Sequence, residues 1–178
     1  MSIELIRLAA AADAEAVARL VNQAYRPVAG LAGWTHEADW VSGSRIAAAQ
    51  VAALLLKPAS VLLLGLLDQH IVACVHVEQQ GPLSYIGMLA VNPQCQTRGV
   101  GKQMLAAAER YASQEFAAER VQMLVLSART ELVAFYLRRG YQCIGTQLDY
   151  PLAAGVGTPL VAGLTVQTLD KPITADNS

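Results

Sequence analysis

The stretch Tyr85-Ile86-Gly87-Met88-Leu89-Ala90-Val91-Asn92-Pro93-Gln94-Cys95-Gln96-Thr97-Arg98-Gly99-Val100-Gly101-Lys102-Gln103-Met104-Leu105 decides how the chain is read. Its apolar first part predicts a strand. Pro93 ends that strand, because proline cannot donate to a ladder. A short polar loop follows, then Gly99 and Gly101 on either side of Val100. Beyond them Val100, Met104, Ala108 and Tyr111 recur at helical spacing. The order is strand, loop, glycine-rich turn, helix. The unpaired amides of the helix's first turn and its dipole favour an anion there. Two glycines let a phosphate come close to the backbone. Arg98 and Lys102 add two cations beside the same spot.

Two phosphate loops fail at residues with a defined job. The P-loop, G-x-x-x-x-G-K-[ST], has Gln96 here in place of its first glycine and Gln103 in place of its hydroxyl residue. The dinucleotide turn, G-x-G-x-x-G, has Met104 in place of its third glycine. Gln96-Thr97-Arg98-Gly99-Val100-Gly101 does match Q/R-x-x-G-x-G/A, and so resembles the acyl-CoA pyrophosphate loop of the GNAT superfamily of N-acetyltransferases. The preceding Met88 to Pro93 resembles that family's fourth strand. The resemblance implies that Leu89, Ala90, Val91, Gln96, Thr97, Arg98, Gly99, Val100, Gly101 and Lys102 hold acetyl-CoA as co-substrate.

Outward from this stretch, the rest of the chain supports one domain over residues 1–170 with a tail at 171–178. Ile3 to Leu8 predicts a strand. Val17, Leu20, Val21 and Ala24 form the apolar stripe of a helix that Asp13 can cap. Ile46 to Leu56 predicts a second helix, ended by Lys57-Pro58. Ser60 to Leu66 and Ile71 to Glu78 predict two strands joined by a turn at Asp68-Gln69, and with the opening strand they form a meander. After the glycine-turn helix come a strand at Val121 to Leu126, a helix at Thr130 to Arg139 closed by Gly140, and a strand at Tyr141 to Tyr150. Pro151 to Gly163 reads as a loop without an element of its own. Leu164 to Leu169 alternates and predicts a last strand, an edge through which two copies could pair as a homodimer. The order β-α-α-β-β-β-α-β-α-β-β predicts an α/β fold. The sheet is mixed, mostly antiparallel, of six to seven strands, with helices on both faces. It is also the GNAT order, from about Ile3 to about Leu169.

Composition narrows the function classes. The 178 residues are 54% hydrophobic and 15% charged, as a folded soluble domain requires. A net charge of −1 without a basic run gives no support for nucleic acid as a partner. The apolar tract from Val51 to Leu67 is broken by Lys57-Pro58, so no membrane span is expected. Met1 to Glu4 has no signal-peptide character. Cys74, Cys95 and Cys143 are far apart and suggest neither a disulfide framework nor a zinc site. A cytoplasmic protein with reduced thiols and no metal is the expectation.

A second segment, Ala134-Phe135-Tyr136-Leu137-Arg138-Arg139-Gly140-Tyr141, resembles the family's F-Y-x-x-x-G-F/Y ending. There the tyrosine usually points at the thioester sulfur, which makes Tyr136 the expected acid. The family often has Asn seven residues earlier and Ala four earlier; this chain has Arg129 and Leu132, and Arg129 is expected to touch the cofactor. A fourth-strand backbone N–H, at Leu89 or Ala90, is implied as the oxyanion donor.

The implied reaction is acetyl transfer from acetyl-CoA to an amine of a small molecule, peptide or protein by direct attack. The alternative is an acyl-CoA-binding sensor without chemistry. Many relatives carry Glu four or six residues before Val91, where this chain has Gly87 and Tyr85. The remaining candidates for a base are Glu78 and His76, two apart and so on one face of the neighbouring strand. Glu37 and a water are further options. Glu37 belongs to Gly33-Trp34-Thr35-His36-Glu37-Ala38-Asp39-Trp40, which reads in two ways. It is an acceptor-binding segment, with Trp34, Thr35 and Glu37 as substrate-binding residues and Glu37 and Asp39 placed to hold a cationic amine, or a helix start capped by Thr35 with acids in its first turn and its tryptophans in the core.

Overall fold

The computed structural model describes residues 2–28, 33–34 and 36–173. Thr35 lies outside these described residues. The central meander forms β3 (Ser60–Leu67), β4 (His70–Gln80) and β5 (Leu83–Val91). Asp68 and Gln69 take φ of 46° and 64° in the β3–β4 turn, the sense of twist that two-residue hairpins favour. β1 (Leu5–Leu8) pairs antiparallel with β3. The glycine-turn helix α3 (Val100–Phe116) carries the chain across to β6 (Arg120–Leu126), which pairs parallel with β5, as a helical crossover requires. α4 (Thr130–Leu137), β7 (Gln142–Asp149) and β9 (Thr165–Pro172) complete a seven-stranded sheet of order β1-β3-β4-β5-β6-β9-β7.

Alternation along β4 sorts the core into two layers. Ala73, Val75 and Val77 pack with Val100, Met104, Leu105, Ala108 and Ala112 of α3. Cys74 faces the opposite layer, with the stripe of α1 (Ala14–Tyr25) and Val51 of α2 (Ala48–Leu56). The expected mixed sheet with helices on both faces is therefore present.

Several details differ from the sequence expectation. Asp13 does not cap α1 with its side chain. Its carboxylate instead accepts from Ala10 N at 2.7 Å and pairs with Arg7, so it fastens β1 to the turn before the helix. The tryptophan segment forms a turn rather than a helix, with Trp40 N and Val41 N both donating to Glu37 O. The 151–163 loop is not free of structure. A two-residue strand, β8 (Thr158–Pro159), pairs with β2 (Val41–Ser42) and stitches the two long loops together over one face of the sheet. β9 is not an edge, because it lies between β6 and β7 and runs to Pro172, two residues into the expected tail. The edge next to it is β7, every residue of which is exposed.

Two irregularities shape the middle of the sheet. The β4–β5 register shifts between Cys74 and His76, and Met88, opposite the shift, takes φ of 47°. This bulge leaves Met88 and Leu89 outside the paired register. The β5–β6 ladder stops at Tyr85–Gln122, whereas β6 remains paired with β9 as far as Leu126. A wedge thus opens between β5 and β6 beside the bulge.

Candidate active site

Cavities lie on both sides of the sheet at that wedge. On the α3 side lies a cavity of about 370 Å³ lined by the glycine turn, Leu89, Val91, Arg129, Phe135 and Tyr136. On the other side lies a more open cavity of about 930 Å³ whose wall includes Arg45, His76, Glu78 and Tyr85. A narrow space of about 60 Å³, bounded by Leu89, Tyr136 and Tyr85 among others, lies between them.

The loop that frames the smaller cavity is held by one side chain. Gln96 is buried, donates through Nε2 to Val91 O at 3.1 Å and accepts Trp34 N at 3.1 Å. A Cβ on Gly33 would come within 2.2 Å of Gln96 Oε1, so a side chain there would displace the Gln96 amide. Thr97, at φ of 65°, folds its hydroxyl onto Gln96 O. Gly99 caps α3 in the left-handed region at φ of 80°. A Cβ on Gly101 would meet nothing closer than Val91 Cγ2 at 3.8 Å. A Cβ on Gly99 would meet nothing within 4 Å, so no side chain covers the first-turn amides of α3 there, and they are open to an anion. Thr97, Gly99, Gly101 and Lys102 line the cavity. Arg98 is exposed and is not part of its wall. Val100 sends its side chain into the core and Ala90 faces the α1 layer, which leaves only their backbone for a ligand.

Tyr136 lines both the smaller cavity and the junction, and is 5% exposed. Its ring is fixed edge-on by Phe135 at 5.2 Å and Tyr141 at 5.7 Å. Burial, and secondarily Tyr25, raises its pKa above that of an ordinary phenol, so it holds its proton at neutral pH. Tyr25 donates to Leu89 O at 3.1 Å, and burial pushes its pKa up to about 12.

Arg129 does not replace the expected asparagine in a simple way. It is buried and donates to Glu37 Oε1 at 3.0 Å, while Arg26 donates to Glu37 Oε2 at 2.6 Å. None of the three side chains is more than 10% exposed. Arg26 also donates to Val156 O at 2.8 Å. The triad thus ties α1, the tryptophan segment, the start of α4 and the 151–163 loop together. Glu37 has both oxygens committed to guanidinium groups, which leaves it poorly suited to hold an amine or to take a proton.

Trp34 is 41% exposed and stacks obliquely on Phe135 at 5.9 Å. It lines the smaller cavity, not the larger one, so it stands with the glycine turn.

His76 and Glu78 do share a face and both line the larger cavity. His76 Nε2 lies 2.8 Å from Ser60 Oγ and 3.8 Å from Glu78 Oε2; Glu78 also pairs with Lys57 Nζ at 2.7 Å. Burial lowers the His76 pKa, opposed by the nearby Glu78, so the ring is neutral at pH 7. In the ladder His76 is the direct partner of Gly87, and Glu78 that of Tyr85. Facing partners on antiparallel strands have Cβ atoms about 4.5–5.5 Å apart. The two titratable groups therefore stand beside the two fourth-strand positions that lack a carboxylate. Gly87 leaves room for Tyr85, since a Cβ there would meet Tyr85 Cε1 at 2.7 Å.

Sequence reasoning missed Tyr25, Arg26, Arg45 and Tyr150, which close the site from loops and helix ends. A Tyr-Arg pair at the end of the α1 stripe was the single local hint. Among the described residues no helix is long and apolar enough to cross a membrane.

The sheet order, the wedge beside a bulge and the glycine turn at the start of α3 are the features of an acyltransferase fold. The acetyltransferase (GNAT) family model matches residues 14–141, most of the chain, and the protein belongs to that family. A comparison with curated protein sequences finds no match. Among solved structures, the chain is similar to an N-acetyltransferase from Staphylococcus aureus at 15% identity and a TM-score of 0.71, covering 94% of this chain and 96% of that one. It is similar to a ribosomal-protein-alanine N-acetyltransferase from Brucella melitensis at 17% identity and 0.70, covering 95% and 99%. A GNAT family acetyltransferase from Elizabethkingia anophelis, solved with acetyl-CoA bound, matches at 15% identity and 0.66, covering 95% and 97%. At these identities the similarity is one of fold.

Proposed function

We propose that the protein transfers the acetyl group of acetyl-CoA to an amine by direct attack. The observation that carries this reading is the row of cavities at the wedge: a glycine turn on one side, a cavity with titratable groups on the other, and Leu89 and Tyr136 lining the space between.

Acetyl-CoA brings an acyl carbon activated by a thiolate leaving group. The amine nitrogen forms the new C–N bond as the C–S bond breaks. The α3 first-turn amides, Gly99, Gly101 and Lys102 take the pyrophosphate. The bulge at Met88 leaves Leu89 with its amide free of the regular register, which suits it to stabilise the oxygen that gains charge. A lysine-like amine starts near pKa 10.4 and must lose a proton before it attacks. His76 accepts that proton, directly or through water, in the tautomer whose Nε2–H donates to Ser60 Oγ and whose Nδ1 keeps its lone pair. Glu78 at 3.8 Å steadies the resulting imidazolium. Tyr136 hydrogen-bonds the departing sulfur. Full transfer from a phenol near 10 to a thiol near 8.5 is uphill by about 1.5 units, and burial of Tyr136 adds to that cost. Tyr136 therefore acts mainly by sharing its proton with the thiolate, with solvent completing the transfer.

Release of CoA thiol from acetyl-CoA against a panel of primary amines tests the proposal. Amine-dependent release supports it. A melting shift with CoA and no turnover with any amine would replace it with the acyl-CoA sensor.

A further inference from the structure

The wall of the larger cavity and its junction carries more positive than negative charge, and one cation there stands apart. Glu37 is shared by Arg26 and Arg129, and Glu78 is taken by Lys57. Among the residues that line the two spaces, Arg45, Lys57 and Arg129 outnumber Glu37 and Glu78 by one. Arg45 lines both, and among the described residues no carboxylate forms a salt bridge with it. Its guanidinium lies over the Tyr25 ring, 5.4 Å from the centroid. It is also close enough to Tyr85 and Tyr150 to act on their ionisation.

Arg45 is held in place for this position. Asn22 Oδ1 accepts Arg45 N at 2.7 Å, and Asn22 Nδ2 donates to Ile46 O at 2.8 Å and to Ala18 O at 2.9 Å. The backbone carrying Arg45 is thereby fastened to α1. A half-buried guanidinium among tyrosines has lost much of its hydration, and an anion is what restores its interactions.

We propose that Arg45 binds a carboxylate of the acceptor, so that the acceptor is an amine carrying its own carboxyl group, an amino acid or a derivative with a free carboxylate. The inference rests on the transferase reading above and names the substrate class for it. A planar carboxylate fits the two-pronged guanidinium. A dianionic phosphate would need a second uncommitted cation, and Lys57 already serves Glu78. A polycationic amine would meet the excess positive charge of this wall.

The test uses matched pairs, each an α-amino acid and the amine made by removing its carboxyl group. CoA thiol release gives kcat and KM, and calorimetry on the CoA-saturated protein gives binding without turnover. The carboxylate member should be favoured by about 10- to 100-fold, mainly in KM and in affinity. Arg45→Gln should erase the preference, and Arg45→Lys should restore part of it. Equal use of both members, or a preference unchanged in Arg45→Gln, overturns the inference. A calorimetric preference without turnover would keep the carboxylate site and overturn the transferase reading. Turnover without a preference would do the reverse.

Discussion

Replacing Glu37 by Ala isolates what the buried triad does. The carboxylate holds Arg129 at 3.0 Å and Arg26 at 2.6 Å, and all three side chains are nearly excluded from water. Removing it takes from two buried guanidinium groups the carboxylate that they share. Breaking a buried pair in this way costs about 3–5 kcal/mol. For a chain of this length each kcal/mol moves Tm by about 2–4 °C, so Glu37→Ala should lower Tm by about 6–20 °C. Circular dichroism melts in low and high salt are the assay. Buried pairs are screened far less than surface pairs, so the deficit should persist at about 1 M salt. A double-mutant cycle with Arg129→Leu should show coupling of about 0.5–3 kcal/mol, because the second substitution removes one of the stranded charges. A Tm within about 2 °C of the wild type, or a deficit that salt abolishes, would refute the argument and return Glu37 to the acceptor side as a solvated carboxylate.

Gly101→Asp should abolish the rise in Tm that CoA gives to the wild type, whereas Gly101→Ala, whose Cβ has 3.8 Å to its nearest neighbour, should fold normally. An unchanged CoA shift in Gly101→Asp would remove the pyrophosphate assignment. Tyr136→Phe should reduce kcat by about 10²–10⁴-fold with little loss of CoA binding, and a near-wild-type rate would mean that the sulfur is served by another donor. For His76, burial places the folded pKa below the ordinary 6.5. The neutral base is then present above that lowered value, so kcat/KM should fall only as pH drops below about 6.5, and His76→Gln should lose both the rate and this limb. The same depression means that the unfolded chain binds the extra proton first. The His76 contribution to stability is therefore complete above 6.5 and declines as pH falls from there towards the folded pKa. A profile whose acid limb is unaltered in His76→Gln would exclude it as the base.

What was legible in the sequence was local. The turn from Gln96 to Gly101 is contiguous, and Gly99 answers to the left-handed cap of α3. The stripe of α1 and the alternation of β4 announce their own periods. The position of Tyr136 follows from helical spacing within a short segment. The rest depends on meetings that no period encodes. Arg26, Glu37 and Arg129 come from three distant parts of the chain and meet only because the sheet brings the loops together. The pairing of Val41–Ser42 with Thr158–Pro159 joins two segments that looked irregular when each was read alone. β9 looked like an edge because it comes last, yet insertion between β6 and β7 gave it two neighbours. Trp34 is read as an acceptor wall from its composition, and its backbone N–H, donated to Gln96 Oε1, holds it beside the glycine turn.

The acceptor side shows why the missing fourth-strand carboxylate is not an isolated loss. Tyr85 and Gly87 point to the same face, and the Tyr85 ring occupies the space a side chain at 87 would need, with only 2.7 Å left for a Cβ. A carboxylate at 87 and the tyrosine at 85 therefore exclude each other unless the ring moves. Keeping the ring places an aromatic wall in the larger cavity, next to Arg45 and across the ladder from Glu78. The proton acceptor must then come from another group that faces the larger cavity. β4 is the neighbouring strand on that side, and its in-register residues there are His76 and Glu78. The bulge lies immediately beyond the His76–Gly87 rung, so His76 stands on the rung next to the unpaired Met88 and Leu89. One irregularity in the ladder thus serves both halves of the proposed reaction: it frees an amide for the acyl oxygen and sets the displaced base one rung away.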